Sequence, residues 1–219
     1  LNSPSNPTGS VYSKKELQAI ADICVDHKIY VISDDIYEKL LYTNEPFVSI
    51  ASLGKEIYDL TITVNGVSKA YSMTGWRIGY AAGPAEIMGY MKNLQDHSTS
   101  NPTSISQKAA VAALKAPEDS IKAMRAEFKA RRDLMMSLID GIPGVSYIKP
   151  EGAFYLFCDF SKYGPCAEVA KRILNEVNVA VIPGDGFGAE GYLRLTFCTS
   201  QERIREGVRR IKEWIERSK

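Results

Sequence analysis

The chain has 219 residues, 45% hydrophobic and 24% charged, with a formal net charge of +1. That length can bury a real core as one large or two small domains. The near-neutral balance gives no electrostatic ground for nucleic acid or an anionic membrane as partner, and no run approaches the roughly 18 apolar residues of a membrane span.

The chain opens on Leu1, without the basic-then-apolar order of a signal peptide, and runs at once into the polar turn Asn6-Pro7-Thr8-Gly9. A strand ending near residue 3 calls for more sheet ahead of it, so the expectation is a C-terminal piece of a larger protein. Ser13-Lys14-Lys15-Glu16 is a capping box, and Leu17, Ile20, Ala21 and Cys24 follow at helical spacing. An apolar strand at 29–33 ends in Asp34-Asp35-Ile36-Tyr37, and residues 38–54 read as loop around Pro46. A second strand at 59–65 leads into Ser68-Lys69-Ala70-Tyr71-Ser72-Met73-Thr74-Gly75-Trp76-Arg77-Ile78-Gly79-Tyr80. Residues 77–83 read as a third strand and 85–95 as a helix, followed by a polar loop at 98–104 and an alanine-rich helix at 106–116. Helices alternating with strands predict βαβ units, a mostly parallel sheet covered by helices.

A long helix at 117–138 carries Ile121, Met124, Phe128, Leu134 and Leu138 as its apolar stripe and bridges the two halves of the chain. Short strands at 145–148 and 153–159 then bracket Pro150-Glu151-Gly152. A helix through Val169, Ile173 and Val177, a strand at 179–182, a glycine-punctuated loop, a strand at 192–198 and a final helix capped by Thr199-Ser200-Gln201-Glu202 complete a smaller α+β domain. The expected division is 1–128 for the larger α/β domain and 129–219 for the smaller one.

Cys24, Cys158, Cys166 and Cys198 are far apart, with no C-x-x-C pair, and the only histidines are His27 and His97. Tetrahedral zinc is not expected, nor any other metal site. Reduced, buried thiols are, which fits a cytoplasmic protein.

An amine, a carboxylate, a phenol, an amide and a guanidinium recur at the ends of sheet units, where open α/β sheets place ligands. Lys69 follows a buried strand and suits a Schiff-base lysine, whose amine must shed its proton to attack an aldehyde. Asp34, at the carboxyl end of a strand, suits a carboxylate that keeps a pyridine nitrogen protonated, and Asp35 competes for that role. Tyr37 offers a phenol to a ring oxygen, and Arg77 offers a guanidinium to a phosphate. Arg194 lies mid-strand on the face of Tyr192 and Thr196, opposite Leu193, Leu195 and Phe197, and a charge in so apolar a strand calls for an anionic partner.

Those motifs resemble a pyridoxal-phosphate-dependent class I/II aminotransferase of fold type I, nearest to the bacterial aspartate-aminotransferase-like branch. The likeness rests on Asn6 to Gly9 (N-P-T-G), Asp34 to Tyr37 (D-x-x-Y), Ser68 to Tyr80, Pro150 to Tyr155 (P-x-G-A-F-Y) and Arg194 to Phe197 (R-L-x-F), and on the spacings between them. It implies that Lys69 holds pyridoxal 5'-phosphate as a Schiff base and moves a proton at the substrate Cα. It implies Asp34 at the ring nitrogen, Asn6 and Tyr37 at the ring oxygen, Arg77 at the phosphate and Arg194 at the substrate α-carboxylate. The implied reaction passes the amino group of an L-amino acid, aspartate favoured, to a 2-oxo acid such as 2-oxoglutarate. A homodimer is implied too, with the loop at 98–104 reaching toward the neighbour. Two features depart from the family. Many relatives carry serine where this chain has Gly66, which leaves Ser68 only a weak phosphate role on an extended chain. The family's N-terminal half is absent, so these 219 residues alone are expected to be inactive. Alternatives are a β- or γ-eliminating lyase or a cyclopropane-forming synthase on the same scaffold, and a chain with no catalysis of its own.

Overall fold

A computed structural model describes residues 1–217. The chain forms two compact units: Leu1–Pro4 with Val11–Ala123, and Ser5–Ser10 with the chain from Met124 onward. Both this division and the expected one at 128/129 fall inside a single long helix. The six residues Ser5–Ser10, expected with the first domain, group with the second unit.

In the first unit, helix α1 (Lys14–Asp26) starts at the expected capping box. Glu16 N–H donates to Ser13 Oγ at 3.2 Å, and Ser13 N–H donates to the Glu16 carboxylate at 2.8 Å. Strand β1 (Val31–Asp34) buries Val31 and Ser33, leaves Ile32 exposed on the other face and half-buries Asp34. Helix α2 (Lys55–Leu60) runs without a break into strand β2 (Thr61–Gly66), where the sequence predicted strand alone from residue 59. Leu17, Ala21, Cys24, Val31, Ile50 and Ile57 form the core between α1, α2 and the sheet. A single helical turn, α3 (Val67–Ala70), follows β2, so Ser68 lies on a helix and not on extended chain. Strand β3 (Gly79–Ala82), α4 (Ala85–Ser98) and α5 (Ser104–Lys115) complete the unit. The sheet order is β1-β2-β3, with β1 and β2 parallel and β3 antiparallel to β2. The parallel expectation thus covers β1 and β2, together with a parallel bridge from Asn2 to Asp34, and fails for β3.

Helix α6 (Asp119–Ile139) carries the division between the units. Within the second unit its buried positions are Phe128, Arg132, Met135 and Ile139. The apolar stripe expected through Leu134 and Leu138 is only half-buried there, and an arginine occupies its centre. Strands β4 (Ser146–Tyr147), β5 (Tyr155–Asp159), β6 (Ile182–Pro183) and β7 (Tyr192–Thr196) form one antiparallel sheet in the order β4-β5-β7-β6. Helices α7 (Cys166–Val177) and α8 (Gln201–Arg217) pack together, burying Val169, Ile173, Val208, Ile211 and Ile215. Trp214 Nε1 donates to Glu176 at 2.8 Å across that seam. Cys24, Cys158 and Cys166 are buried, but Cys198 is exposed, because alternation past Phe197 turns it to the outer face. No helix of the described residues is long and apolar enough to cross a membrane.

Candidate active site

Four candidate residues of the first unit lie at one end of its sheet. Asp34 is the last residue of β1, and Tyr37 lies three residues beyond it. Asp34 pairs in register with Val64 of β2, and Lys69 sits on α3, the helical turn into which β2 runs. Because β3 is antiparallel to β2 and Gly79 pairs with Gly66, Arg77 enters the sheet at that same end. Two parallel strands ending side by side thus place a carboxylate and an amine at the same end of the sheet, the placement expected of a ligand site on an open α/β sheet.

The Asp34 backbone is fixed from several sides. Its N–H donates to the Leu1 carbonyl at 2.9 Å, and Asn2 Nδ2 donates to its carbonyl at 3.0 Å. Ile36 N–H donates to Asp34 Oδ1 at 3.2 Å, while Oδ2 accepts from no group among the described residues. Asp35, the competing carboxylate, behaves differently. It is 3% exposed, and its Oδ1 accepts from the Ser33 hydroxyl at 2.7 Å. Burial pushes the Asp35 carboxyl above its usual value, the Ser33 hydroxyl opposes that rise, and the charge on Asp34 adds to it. Tyr37 is 4% exposed, in the turn that follows.

Lys69 is half-buried, and its flanking Val67 and Ala70 are fully buried. Val67 packs with Ile78 and Ala110, and Tyr71 and Met73 close over them. Arg77 adopts left-handed backbone at φ 54° and is exposed, with Nη1 donating to the Thr74 carbonyl at 2.9 Å. A Cβ added at Gly66 would lie 2.8 Å from the Ile78 carbonyl oxygen and 3.1 Å from Gly79 Cα. The chain has closed on this glycine, leaving no room for the serine of the resembling family.

In the second unit, Arg194 Nη1 donates to Asn6 Oδ1 at 2.6 Å. The Arg194 guanidinium lies 4.5 Å from the centre of the Tyr155 ring and 5.2 Å from that of Phe187. The expected anion is absent: among the described residues no carboxylate pairs with Arg194. Its neighbours are a neutral amide and two π-faces, which hold a guanidinium in place while leaving its charge uncompensated. Sequence reasoning singled out Asn6 and Arg194 separately. It missed Phe187, which sits in the glycine-punctuated loop without a periodic signal, and Arg132, which lies outside the apolar stripe expected on its helix.

The donor set suits pyridoxal phosphate: an amine for its aldehyde, a carboxylate with one oxygen uncommitted for its ring nitrogen, a phenol for its ring oxygen and a guanidinium for its phosphate.

Comparisons with known proteins point the same way. The family model for aminotransferase class I and II matches residues 1–211. An aspartate aminotransferase of Bacillus sp. strain YM-2 is 48% identical over 221 residues, covering 98% of this chain and 56% of the relative. Among solved structures, the aromatic aminotransferase of Pyrococcus horikoshii superposes with a TM-score of 0.93 at 38% identity, covering 99% of this chain and 59% of that one. Aspartate aminotransferase from Thermus thermophilus with maleate gives 0.90 at 41% identity, covering 97% and 55%. The chain therefore spans a little over half the length of the proteins it matches.

Proposed function

Because the chain belongs to the class I and II aminotransferases, we propose that the protein carrying it transfers the amino group of an L-amino acid, aspartate first, to a 2-oxo acid such as 2-oxoglutarate. The observation that carries this reading is Lys69 on the helical turn that follows β2, at the same end of the sheet as Asp34, the last residue of its parallel neighbour β1. Pyridoxal phosphate would be held covalently through the Lys69 amine, with Asp34 at its ring nitrogen, Tyr37 at its ring oxygen and Arg77 at its phosphate. When bound, it supplies an electron sink for the bonds at the amino-acid Cα. The chain's own residues do the rest. Asp34 holds the proton on the ring nitrogen, and Lys69 Nζ removes and returns the proton at Cα. Arg194, steadied by Asn6, Tyr155 and Phe187, takes the α-carboxylate in its planar fork.

Aspartate leads as donor on the strength of the Bacillus relative's name, and the aromatic aminotransferase among the structural neighbours keeps aromatic donors next in line. The lyase and synthase readings lose their ground, since the family model and the relatives described above are aminotransferases. A cytoplasmic address and a homodimer belong to the same proposal. Helix α4 buries none of its residues, and its Tyr90, Met91 and Leu94 are exposed, an apolar face for a second copy or for the rest of the longer protein to cover. Gel filtration at micromolar concentration tests that part; a monomer rejects it. The activity is tested by adding L-aspartate and 2-oxoglutarate to the intact protein loaded with pyridoxal phosphate and measuring oxaloacetate and glutamate. Pyruvate and ammonia without an oxo-acid acceptor would reject it.

A further inference from the structure

Arg132 is 4% exposed, in the middle of the buried stripe of α6 between Phe128 and Met135. Burying a guanidinium in an apolar stripe is costly unless its donors are met in fixed geometry. Nε and Nη2 reach the carboxylate of the next residue, Asp133, at 2.8 and 2.7 Å. Nη1 points away and donates to the Pro150 carbonyl at 3.0 Å. That carbonyl opens the turn through Glu151 and Gly152, which leads to both sides of Arg194.

On one side, the N–H groups of Glu151 and Gly152 both donate to the Gly9 carbonyl, at 2.8 and 2.9 Å. Gly9 N–H in turn donates to the Ser5 carbonyl at 2.8 Å, closing the loop on which Asn6 meets Arg194. On the other side, the chain passes from Gly152 to Phe154, whose ring stacks on Phe128 of α6 at 5.7 Å and lies 4.8 Å from the Tyr155 ring. Tyr155 is the ring beneath the Arg194 guanidinium. The turn at 150–152 therefore sets both the amide that Arg194 binds and the aromatic face it rests on, and Arg132 anchors the start of that turn.

We propose that Arg132 is a positioning residue for Arg194, acting through the Pro150 carbonyl and the loop bearing Asn6. The proposal rests on the reading of Arg194 as the ligand of the substrate α-carboxylate. Arg132 touches no substrate. Its part is to keep Arg194 oriented, so its loss is felt by substrates that use the carboxylate and not by amines that lack one.

L-alanine and ethylamine differ only by that carboxylate. The test measures, for the intact protein loaded with pyridoxal phosphate, the second-order rate constant with which each amine converts the bound cofactor, together with the thermal midpoint. Arg132→Met is expected to lower the constant for L-alanine about tenfold, the weight of one hydrogen bond from a charged donor, and to leave that for ethylamine unchanged. Arg132→Lys, which keeps a cation beside Asp133, recovers part of the loss. An equal fall for both amines, or a lowered midpoint with the alanine-to-ethylamine ratio intact, makes Arg132 merely structural and overturns the proposal. Where Arg132→Met does not fold, Gly9→Ala reads the same linkage. It displaces the turn while leaving Arg132 in place, and an unchanged ratio in that variant also overturns the proposal. Arg194→Lys separates the two readings. If it leaves the ratio intact, Arg194 is not the carboxylate ligand and both readings fall; if it lowers the ratio while Arg132→Met does not, only the positioning role falls.

Discussion

Arg194 donates to Asn6 Oδ1 at 2.6 Å, joining two residues 188 positions apart in the chain. The bond satisfies one arm of the guanidinium without neutralising it. That is what a carboxylate receptor needs: a cation held rigidly by a neutral partner stays electrostatically available, whereas one locked to an internal carboxylate is not.

With Arg194 as the proposed carboxylate ligand, Asn6→Asp should therefore disable it from inside. The substituted carboxylate supplies the anion that Arg194 lacks and competes with the substrate for the same fork. The expected outcome is a rise in KM for L-aspartate on the order of tenfold or more, with the cofactor still bound. Steady-state kinetics alongside cofactor absorbance check it. A KM at the parent value would show that Arg194 does not meet the substrate.

Lys69→Ala should abolish covalent attachment of pyridoxal phosphate. Borohydride reduction of the loaded parent is expected to add the cofactor's mass to the peptide containing Lys69, and reduction of the variant to add it nowhere. A modified peptide elsewhere in the parent would move the attachment to another lysine. The half-buried place of Lys69 on α3 favours attachment there over the exposed lysines.

Asp35 makes a pH prediction of opposite sign to that of a salt-bridged carboxylate. Burial raises its pKa in the folded chain above the unfolded value of about 3.9. The folded state therefore binds this proton more tightly. The stability it contributes is fully present below the unfolded pKa and is lost as pH rises through the folded one. Asp35→Asn keeps an acceptor for the Ser33 hydroxyl and removes the titration. Urea midpoints of the two proteins should diverge in favour of the variant as pH rises from about 4. A difference that stays constant with pH would mean Asp35 titrates alike in both states.

What could be read from sequence was local. The capping box of α1 was legible because Ser13 and Glu16 bond within one turn. The strand end at Asp34 and the turn bearing Lys69 were legible because β1 and β2 are apolar runs with abrupt polar ends. Helix α2 was not, since it passes into β2 with no glycine or proline between them. Helix α3 has four residues, too few to show a period. Arg132 was hidden for a different reason. A charge on a helix reads as solvent-facing by default, and the Pro150 carbonyl that meets this one lies 18 residues away in the chain. The pairing of Asn6 with Arg194 depends on how the whole second unit closes, and no window of sequence contains it.

Gly9 gives the sharpest stability test, because two independent strains meet at it. Its backbone is left-handed at φ +69°, where a side chain is disfavoured. An added Cβ would also lie 2.4 Å from Pro150 Cβ and 2.8 Å from the Gly152 carbonyl oxygen. Neither neighbour can swing aside, one being part of a proline ring and the other backbone. Gly9→Ala is therefore expected to cost about 1–3 kcal/mol, read as a lower thermal midpoint. Gly54→Ala is the control, since nothing lies within 4 Å of its added Cβ and its backbone is extended. That substitution should change stability by less than about 0.5 kcal/mol. Equal midpoints for the two variants would mean that the turn at 150–152 does not press on Gly9, and the linkage from Arg132 to Asn6 would lose its central contact.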